Sequence, residues 1–379
     1  MDFSLTAEQI DIQKAAREFA RGEFDPDRAL EYDENQEFPS AVWRKACELG
    51  FIGVQFPEES GGQGLGLLEN TLIVETFCRQ DSGIGMALAL SDFGSEMILR
   101  HGDDSQKRQV LPVVARGKGT VTMAFLEEGY ALAPFATTAA LRKGGYVIDG
   151  VKTFVPLGRR AHFIVVICQV GSDDPFAQSA ILVERQTDGL TFSSMGEKMG
   201  MRMVPVDRVS FKSVKVPRDN QIGPEGTGYS QLRGFFDEMR VETGAMGVGI
   251  AQGGLDRALE YSKGRVQFGK PIVAFGVIRN KLADMTTEVE MARLITYKAA
   301  WSFDTGRPDQ RLTAMSKMVA SKAAYRTNYE AVQIHGGTGY MTESHIERFY
   351  RDAKVLDLFV EPEQLQKNLL ADLLTGKTN

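Results

Sequence analysis

Apolar residues recur at helical spacing through the first third of the chain. The segment TAEQIDIQKAAREFA opens with Thr6 and Gln9 in capping-box register, and apolar residues then follow every three or four positions. The same period runs through SAVWRKACELG, LLENTLIVETFCRQ and SQKRQVLPVVARG. This spacing predicts an N-terminal helical domain over residues 1–118.

From residue 119 the pattern changes to short runs of β-branched and aromatic residues between Gly, Asp and Ser clusters. The runs GGYVIDG, VKTFVPL, HFIVVICQV, SAILVER, GLTFSS and VDRVSFKSVKV predict a compact β domain over residues 119–222. Helical spacing returns after GPEGTGYS and predicts long helices over residues 223–379. This order is α+β, because a doubly wound sheet alternates strands with helices. No GxGxxG follows a first strand, so a nicotinamide-binding fold is disfavoured.

Composition narrows the classes of partner. The formal charge of −6 argues against nucleic acid, whose binding needs clustered Lys and Arg. The sequence contains no apolar stretch of about 18 residues, so no membrane span is expected. The N-terminus lacks the basic and apolar regions of a signal peptide. The three widely spaced cysteines suit buried thiols in a reducing compartment, which makes the cytoplasm the expected location. The histidines lack zinc-ligand spacing, so no metal site is expected.

Three stretches of the last domain are specific when taken together: RVQFGKPI, QIHGGTGYM and ERFYRDAK. With GFIGVQFPEESGGQG near the start, the chain resembles the acyl-CoA dehydrogenase family over essentially its whole length. The resemblance implies that family's fold, with a helical N-terminal domain, a central β-barrel-like domain and a C-terminal four-helix bundle. It also implies FAD as cofactor, an acyl-CoA thioester as substrate and an electron-transfer flavoprotein as electron acceptor.

The chemistry of two of these stretches suits a pyrophosphate. An arginine offers a fixed bidentate fork, and a glycine-rich turn lets backbone N–H groups approach a phosphate closely. Taken alone, the same residues are also consistent with a helix cap and a bend. The positions that the resemblance assigns to cofactor binding, reaching a flavin lodged in a neighbouring subunit, are Arg265, Gln267, Phe268, Gln333, Gly336 and Gly337. The chain is therefore expected to assemble, either as a homotetramer that is a dimer of dimers or with a homologous chain.

The segment FFDEMR carries the implied substrate contacts. By resemblance, Phe236, Asp237 and Arg240 line a tunnel for the pantetheine arm of the CoA thioester. The alternative is an amphipathic helix with a solvated acidic face.

The sequence departs from the family where the catalytic base is expected. Aligned without gaps after RDAK, the usual glutamate falls on Val360, which then lines the substrate site. A shift of one residue would supply Glu361 but would break the match that follows. Other members carry the base before the arginine of the FDxxR helix, where this chain has Met239; Glu238 beside it is rotated by about 100°. Neither standard base is in place.

The expected flavin pocket has also changed. Family members carry T-E-P-G-A-G-S-D before the β domain and W-I-T-N within it, whereas this chain has LEEGYALAP and FVPL. Leu126 and Glu128 replace the first Thr and the Pro, Phe154 stands at the Trp, and Pro156 replaces the second Thr. Pro156 supplies neither a hydroxyl nor an N–H, so a hydrogen bond to the flavin ring is expected to be lost.

These departures support three hypotheses. In related enzymes that act on alicyclic CoA thioesters, an aspartate on the helix equivalent to ALSDFGSEMI is the base, and Asp92 matches it here. Asp92 then needs burial to raise its pKa, unless it is only a capping or surface residue; Glu127 and Glu128 are weaker candidates. The second hypothesis is a flavin-poor, non-catalytic subunit of a heteromeric dehydrogenase. The third is a non-redox CoA-thioester lyase or hydratase.

Overall fold

A computed structural model describes residues 4–129, 135–171, 174 and 176–376. The N-terminal region is helical, and its first helix begins as the sequence predicts. Thr6 Oγ1 accepts from the Gln9 N–H at 3.2 Å, and Gln9 Oε1 accepts from the Thr6 N–H at 3.0 Å. A single 3₁₀ turn, Leu90–Asp92, separates the fifth and sixth helices. The helices are α1 (Ala7–Glu23), α2 (Pro26–Asn35), α3 (Ser40–Glu48), α4 (Leu67–Gln80), α5 (Ser82–Ala89), α6 (Ser95–His101) and α7 (Asp104–Ala115).

The middle region forms one twisted, mixed sheet. Its strands are β1 (Val121–Ala124), β2 (Thr138–Arg142), β3 (Gly145–Pro156), β4 (Phe163–Gln169), β5 (Gln178–Glu184), β6 (Leu190–Ser194), β7 (Val206–Val216) and β8 (Gln221–Ile222). The order is β6-β7-β3-β2-β4-β5-β8, and β1 pairs in parallel with β4. The runs GGYVIDG and VKTFVPL, predicted separately, form the single strand β3, whose register against β7 shifts twice. None of the runs that predicted strands covers β1 or β2.

The C-terminal region returns to helices. They are α8 (Gly228–Gly264), α9 (Gly276–Asp304), α10 (Gln310–His335), α11 (Ile346–Val355) and α12 (Glu363–Thr375), with a short hairpin of β9 (Val266–Gln267) and β10 (Lys270–Pro271) between α8 and α9. Glycines allow α8 to pack closely on its neighbours. A Cβ at Gly247 would lie 2.9 Å from the Ala320 carbonyl of α10, and one at Gly249 would lie 2.4 Å from the Glu75 oxygen of α4. Helix α8 therefore packs closely on both the N-terminal and the C-terminal helical regions.

The predicted order of helices, strands and helices is confirmed. The predicted domain boundaries fall in the connections between α7 and β1 and between β8 and α8. One hydrophobic core joins both helical regions to the inner face of the sheet, and a second core lies within the sheet. Among the described helices, none combines the length and apolar character needed to cross a bilayer.

Candidate active site

An aromatic cluster joins the segments that the sequence marks as chemically unusual. Its members are Phe93, Phe125, Phe235, Phe236 and Phe359. Phe93 has its ring centroid 5.2 Å from that of Phe235 and 5.5 Å from that of Phe359, while Phe125 lies 5.2 Å from Phe236. The chain neighbours of these rings are Asp92, Leu126 and Val360. The cluster therefore joins the segments that contain Asp92, Leu126 and Val360.

Asp92 ends the 3₁₀ turn that leads into this cluster. The residue keeps partial solvent contact, and burial raises the pKa of its carboxyl to about 7 from an ordinary value of 3.8. Hydrogen bonds from its own backbone and from the Gly53 backbone offset this rise only in part. A carboxyl that titrates near neutral pH is suited to general base catalysis.

Asp92 belongs to a group of carboxyls at the contact between α6 and α8, with Glu96, Glu238 and Glu242, here termed the acidic group. Burial raises the pKa of Glu96 and of Glu242 well above the ordinary range, and the other members add repulsion. Glu238 forms an ion pair with Arg100, which donates to both of its oxygens at 3.0 Å. Glu96 Oε2 accepts from the Gly94 N–H at 3.0 Å. The sequence analysis missed Glu96 and Glu242, although each lies four residues after another acid, Asp92 and Glu238.

Glu361, the alternative candidate base, is held by cations and amides. Its carboxylate accepts from Arg240 Nε at 3.2 Å and from Gln366 Nε2 at 3.0 Å, and a second Arg240 nitrogen also bonds to it. The buried Lys317 ammonium donates to the Glu361 carbonyl. Arg240 also pairs with Asp237. This carboxylate is thus an anchor for the loop before α12, and the geometry favours Asp92 over Glu361 as a base.

The residues expected along the pantetheine tunnel are buried in this structure. Phe236 is part of the aromatic cluster, and Arg240 is held between Asp237 and Glu361. Asp237 accepts further bonds from Gln310 and Thr313 of α10. The alternative of a solvated acidic face does not describe these positions, because Asp237 and Arg240 are 8% and 4% exposed.

Val360 has a strained backbone. Its φ is +65°, in the left-handed region that β-branched residues avoid, and its side chain is 9% exposed. Such strain costs of order 1–3 kcal/mol and concentrates at functional sites. The conformation supports a specific role for this position.

The segments expected beside the flavin lie together at the junction of β1 and β3. The Leu126 carbonyl accepts from the Thr153 N–H at 2.8 Å, and the Pro156 carbonyl accepts from Thr122 Oγ1 at 2.5 Å. Phe154 has a φ of +51° and is 43% exposed. Pro156 itself offers no donor.

The weaker candidates Glu127 and Glu128 both form ion pairs. Glu127 Oε1 accepts from the buried Lys152 ammonium at 2.8 Å and also from the Thr137 N–H, while exposed Glu128 pairs with Arg208. Because Glu127 is committed to Lys152, it stabilises the strand junction and is not free to act as a base.

The residues expected to reach a neighbouring flavin are exposed at one end of the helical bundle. Stacking of Tyr261 on His335, with ring centroids 4.2 Å apart, ties the end of α8 to the end of α10. Arg265 follows α8, and no ion pair joins it to another described residue. Phe268 is 93% exposed, and Gln333, Gly336 and Gly337 are exposed as well. An unpaired arginine, an amide and open glycine backbone form a donor set that fits a pyrophosphate.

Metal ligands are not grouped in this fold. Within residues 4–129, 135–171, 174 and 176–376, no set of three or more His, Cys, Asp or Glu side chains could hold a metal ion. The three cysteines are free and buried.

Three family models match successive parts of the chain. They describe the acyl-CoA dehydrogenase N-terminal domain over residues 6–118, the middle domain over residues 123–214 and the C-terminal domain over residues 226–374. Together these matches follow the three regions of the fold.

Known proteins match over nearly the whole length. A probable acyl-CoA dehydrogenase of Bacillus subtilis, YngJ, is 35% identical over 98% of this chain and 99% of its own. Benzylmalonyl-CoA dehydrogenase of Aromatoleum aromaticum is 34% identical over 93% of this chain and 94% of its own. The solved structure of butyryl-CoA dehydrogenase from Megasphaera elsdenii superposes with a TM-score of 0.95 at 32% identity, covering 99% of this chain and 100% of that one.

Proposed function

The chain belongs to the acyl-CoA dehydrogenase family, and on that premise we propose that it oxidises a bulky or cyclic acyl-CoA thioester with Asp92 as its base. Membership makes it an FAD-dependent oxidoreductase acting on CH–CH bonds. One observation carries the proposal: Phe93, next to Asp92, and Phe359, next to Val360, have ring centroids 5.5 Å apart, and Val360 is the position that the gap-free alignment after RDAK gives to the usual base.

The aromatic side chains of this region support a ring-bearing acyl group. Aromatic side chains prefer offset or edge-to-face contacts with other rings, and Phe93, Phe235 and Phe359 offer such faces. The relative from Aromatoleum aromaticum is named a dehydrogenase of benzylmalonyl-CoA, a thioester with an aromatic ring. A cyclic acyl group is therefore the substrate class that the cluster suits best.

The residues present fit FAD. Phe154 and Leu126 would contact the flavin ring system, and Arg265 with the Gly336–Gly337 backbone would hold the pyrophosphate of a neighbouring subunit's cofactor. When bound, FAD accepts the hydride that leaves the substrate, and an electron-transfer flavoprotein is the proposed acceptor of those electrons. Pro156 donates nothing to the ring, which makes the flavin's hydrogen bonding poorer than the family pattern predicts.

The chain's own residues supply the proton transfer and the dry site. Asp92, deprotonated above about pH 7, takes a proton from a ring carbon farther from the thioester than the α-carbon, and a C=C bond forms as the hydride also leaves. The aromatic cluster excludes water. Val360 cannot take a proton, so elimination at the ordinary α-position lacks its base. Arg240 keeps the Glu361 carboxylate occupied.

A substrate panel tests this function. We expect the purified protein to carry one FAD per chain and to turn over a cyclohexene-carboxyl-CoA faster than butyryl-CoA by at least about tenfold, because a ring fills the aromatic cluster and α-elimination lacks a base. Steady-state kinetics with an artificial electron acceptor measure the ratio. Faster oxidation of butyryl-CoA would contradict the proposal.

A non-catalytic subunit is the second candidate function. It is favoured by one contrast: Arg265 and the exposed glycine turn are retained, whereas Pro156 cannot donate to a flavin of the same subunit. Denaturing the protein and measuring released FAD separates the two candidates. A colourless protein, or half occupancy beside a co-purifying homologous chain, would favour the non-catalytic subunit.

We expect Arg265→Ala to weaken FAD binding by about tenfold or more, because a charge-assisted hydrogen bond to the pyrophosphate is lost. Arg265→Lys keeps the charge but not the bidentate fork, so its affinity for FAD should lie between those of the wild type and Arg265→Ala. Flavin retained after dilution and gel filtration measures the effect. Arg307→Ala, which removes another exposed arginine after α9, is the control, and equal retention in Arg265→Ala and Arg307→Ala would contradict the assignment.

A further inference from the structure

A cavity of about 830 Å³ lies between the N-terminal helices and the sheet. It is bounded by the connection from α2 to α3, the turn from β3 to β4 and the segment between β6 and β7. We term it the basic cleft, defined by the basic side chains that line it: Lys118, Arg159, Arg160, His162, Arg185 and Lys198. None of Asp92, Leu126, Phe154, Pro156 or Val360 lines it, so it is separate from the proposed active site.

Most of these cations lack a carboxylate partner. Arg159 is neutralised, because Asp207 accepts from its side chain and from its backbone N–H. No ion pair to a described residue is formed by the other lining cations, Lys118, Arg160, Arg185 and Lys198. The lining glutamates, Glu37 and Glu197, do not neutralise them either. In a protein of net charge −6, such a concentration of unpaired positive charge is a local exception.

The cations in the cleft disfavour one another's charge. Burial lowers the pKa of Lys198, and Arg202 and Arg159 lower it further, while Asp207 and Asp33 oppose the shift in part. Burial also lowers the pKa of His162, with Arg185 and Arg160 adding to the effect. An anion placed among these groups would relieve the repulsion and restore their charged forms.

Arg160 is held by two aromatic rings, and a buried N–H of its side chain has no hydrogen-bond partner among the described residues. Its guanidinium lies over the rings of Phe38 and Trp43, at 4.2 and 5.2 Å from their centroids. Arg160 Nε and Trp43 Nε1 are both buried, and neither has a hydrogen-bond partner among the described residues. Trp43 is 4% exposed and lines the cleft. Unsatisfied buried donors are rare in native proteins and call for a partner.

We propose that the basic cleft binds a phosphorylated small molecule of about nucleotide size. Its volume lies within the range of roughly 300–1,000 Å³ typical of ligand pockets, and its arginines suit the bidentate geometry of phosphate oxygens. An uncharged, purely apolar ligand is disfavoured, because the lining is rich in charge. The site adds a binding function that dehydrogenation of an acyl-CoA does not require.

Isothermal titration calorimetry tests the site with inorganic phosphate, pyrophosphate, ADP and uncharged adenosine. The protein is fully loaded with FAD, so that ADP cannot enter the flavin site. We expect at least one phosphate compound to bind and adenosine not to bind. Lys198→Gln and Arg160→Gln should each weaken that binding by about tenfold or more, whereas Lys215→Gln, an exposed position on β7 outside the cleft, should leave it unchanged.

The outcomes separate the sources of the phosphate. Equal affinity for phosphate and ADP supports a site for the phosphate group alone, and tighter binding of ADP supports a nucleotide. Arg160→Gln also removes packing on Phe38 and could unfold the protein. In that case the affinity of Lys198→Gln decides the test. Absence of binding by every phosphate compound, or undiminished affinity in Lys198→Gln, overturns the proposal.

Discussion

Asp92→Asn is expected to lower kcat on the accepted cyclic acyl-CoA by about 10²–10⁴-fold, the usual contribution of a positioned general base. Asparagine keeps the size of the side chain and can still accept from the Gly53 backbone, so FAD content should not change. Stopped-flow reduction of the bound flavin by substrate measures the chemical step directly. The effect should therefore appear in the rate of flavin reduction and leave substrate affinity nearly unaltered.

The pH profile gives a second readout of the same prediction. The base is active when deprotonated, and its pKa is about 7. We expect kcat to rise with pH through about 7 and to level off above it, and the residual rate of Asp92→Asn to lack this step. Glu96→Gln is the matched control, since Glu96 is a buried carboxyl of the same acidic group. If Glu96→Gln loses as much activity as Asp92→Asn, the assignment of Asp92 is wrong.

Stability should change in the opposite direction to activity. Because burial raises the folded-state pKa of Asp92 from 3.8 to about 7, its contribution to stability is complete below pH 3.8 and is lost as pH rises through 7. Asparagine cannot ionise and avoids that loss. Asp92→Asn should therefore melt at a higher temperature than the wild type at pH 8, as expected when a functional group is kept at some cost in stability.

The fold was predictable from sequence wherever local signals decide it. Thr6 and Gln9 form the predicted capping box, because that motif joins residues only three positions apart in the chain. Strand β1 was not predicted, since it has four residues, all buried, and exists through parallel pairing with β4 some forty residues later. Such pairing is long-range and leaves no periodicity in so short a segment.

The site was predictable only in part for the same physical reason. Val360 and Pro156 stand out in the sequence because the resemblance defines what should be there. The raised pKa of Asp92 depends on its burial, and the acidic group joins Glu96 to Glu242 across two helices. Neither burial nor contact between distant segments can be read from a local pattern.

Glu361 anchors the loop before α12. Its carboxylate lies between Arg240 and Gln366, and its carbonyl accepts from Lys317. These bonds hold the backbone on the C-terminal side of Val360 and help to maintain the left-handed conformation there. The segment Val-Glu-Pro-Glu thus keeps an ordered loop at the base position while placing no free carboxylate on it.

Val360→Glu is expected to raise turnover of butyryl-CoA by about 10²-fold or more, because it places a carboxylate where the family carries its α-proton base. Burial at this position, 9% exposed in the wild type, would raise the pKa of the new carboxyl toward neutrality. The backbone should tolerate the change, since glutamate is less restricted than β-branched valine at a φ of +65°. Steady-state oxidation of butyryl-CoA measures the gain.

Val360→Gln is the matched control, because glutamine has nearly the same shape and cannot take the proton. Exchange of the α-hydrogen of a non-oxidised acyl-CoA in D₂O adds a readout that does not depend on electron transfer, and it should be fast only in Val360→Glu. Equal gains in the Glu and Gln variants would mean that size and not basicity limits the wild type. If neither variant exchanges the α-hydrogen, Val360 does not face the thioester, and the relocation of the base to Asp92 loses its structural reason.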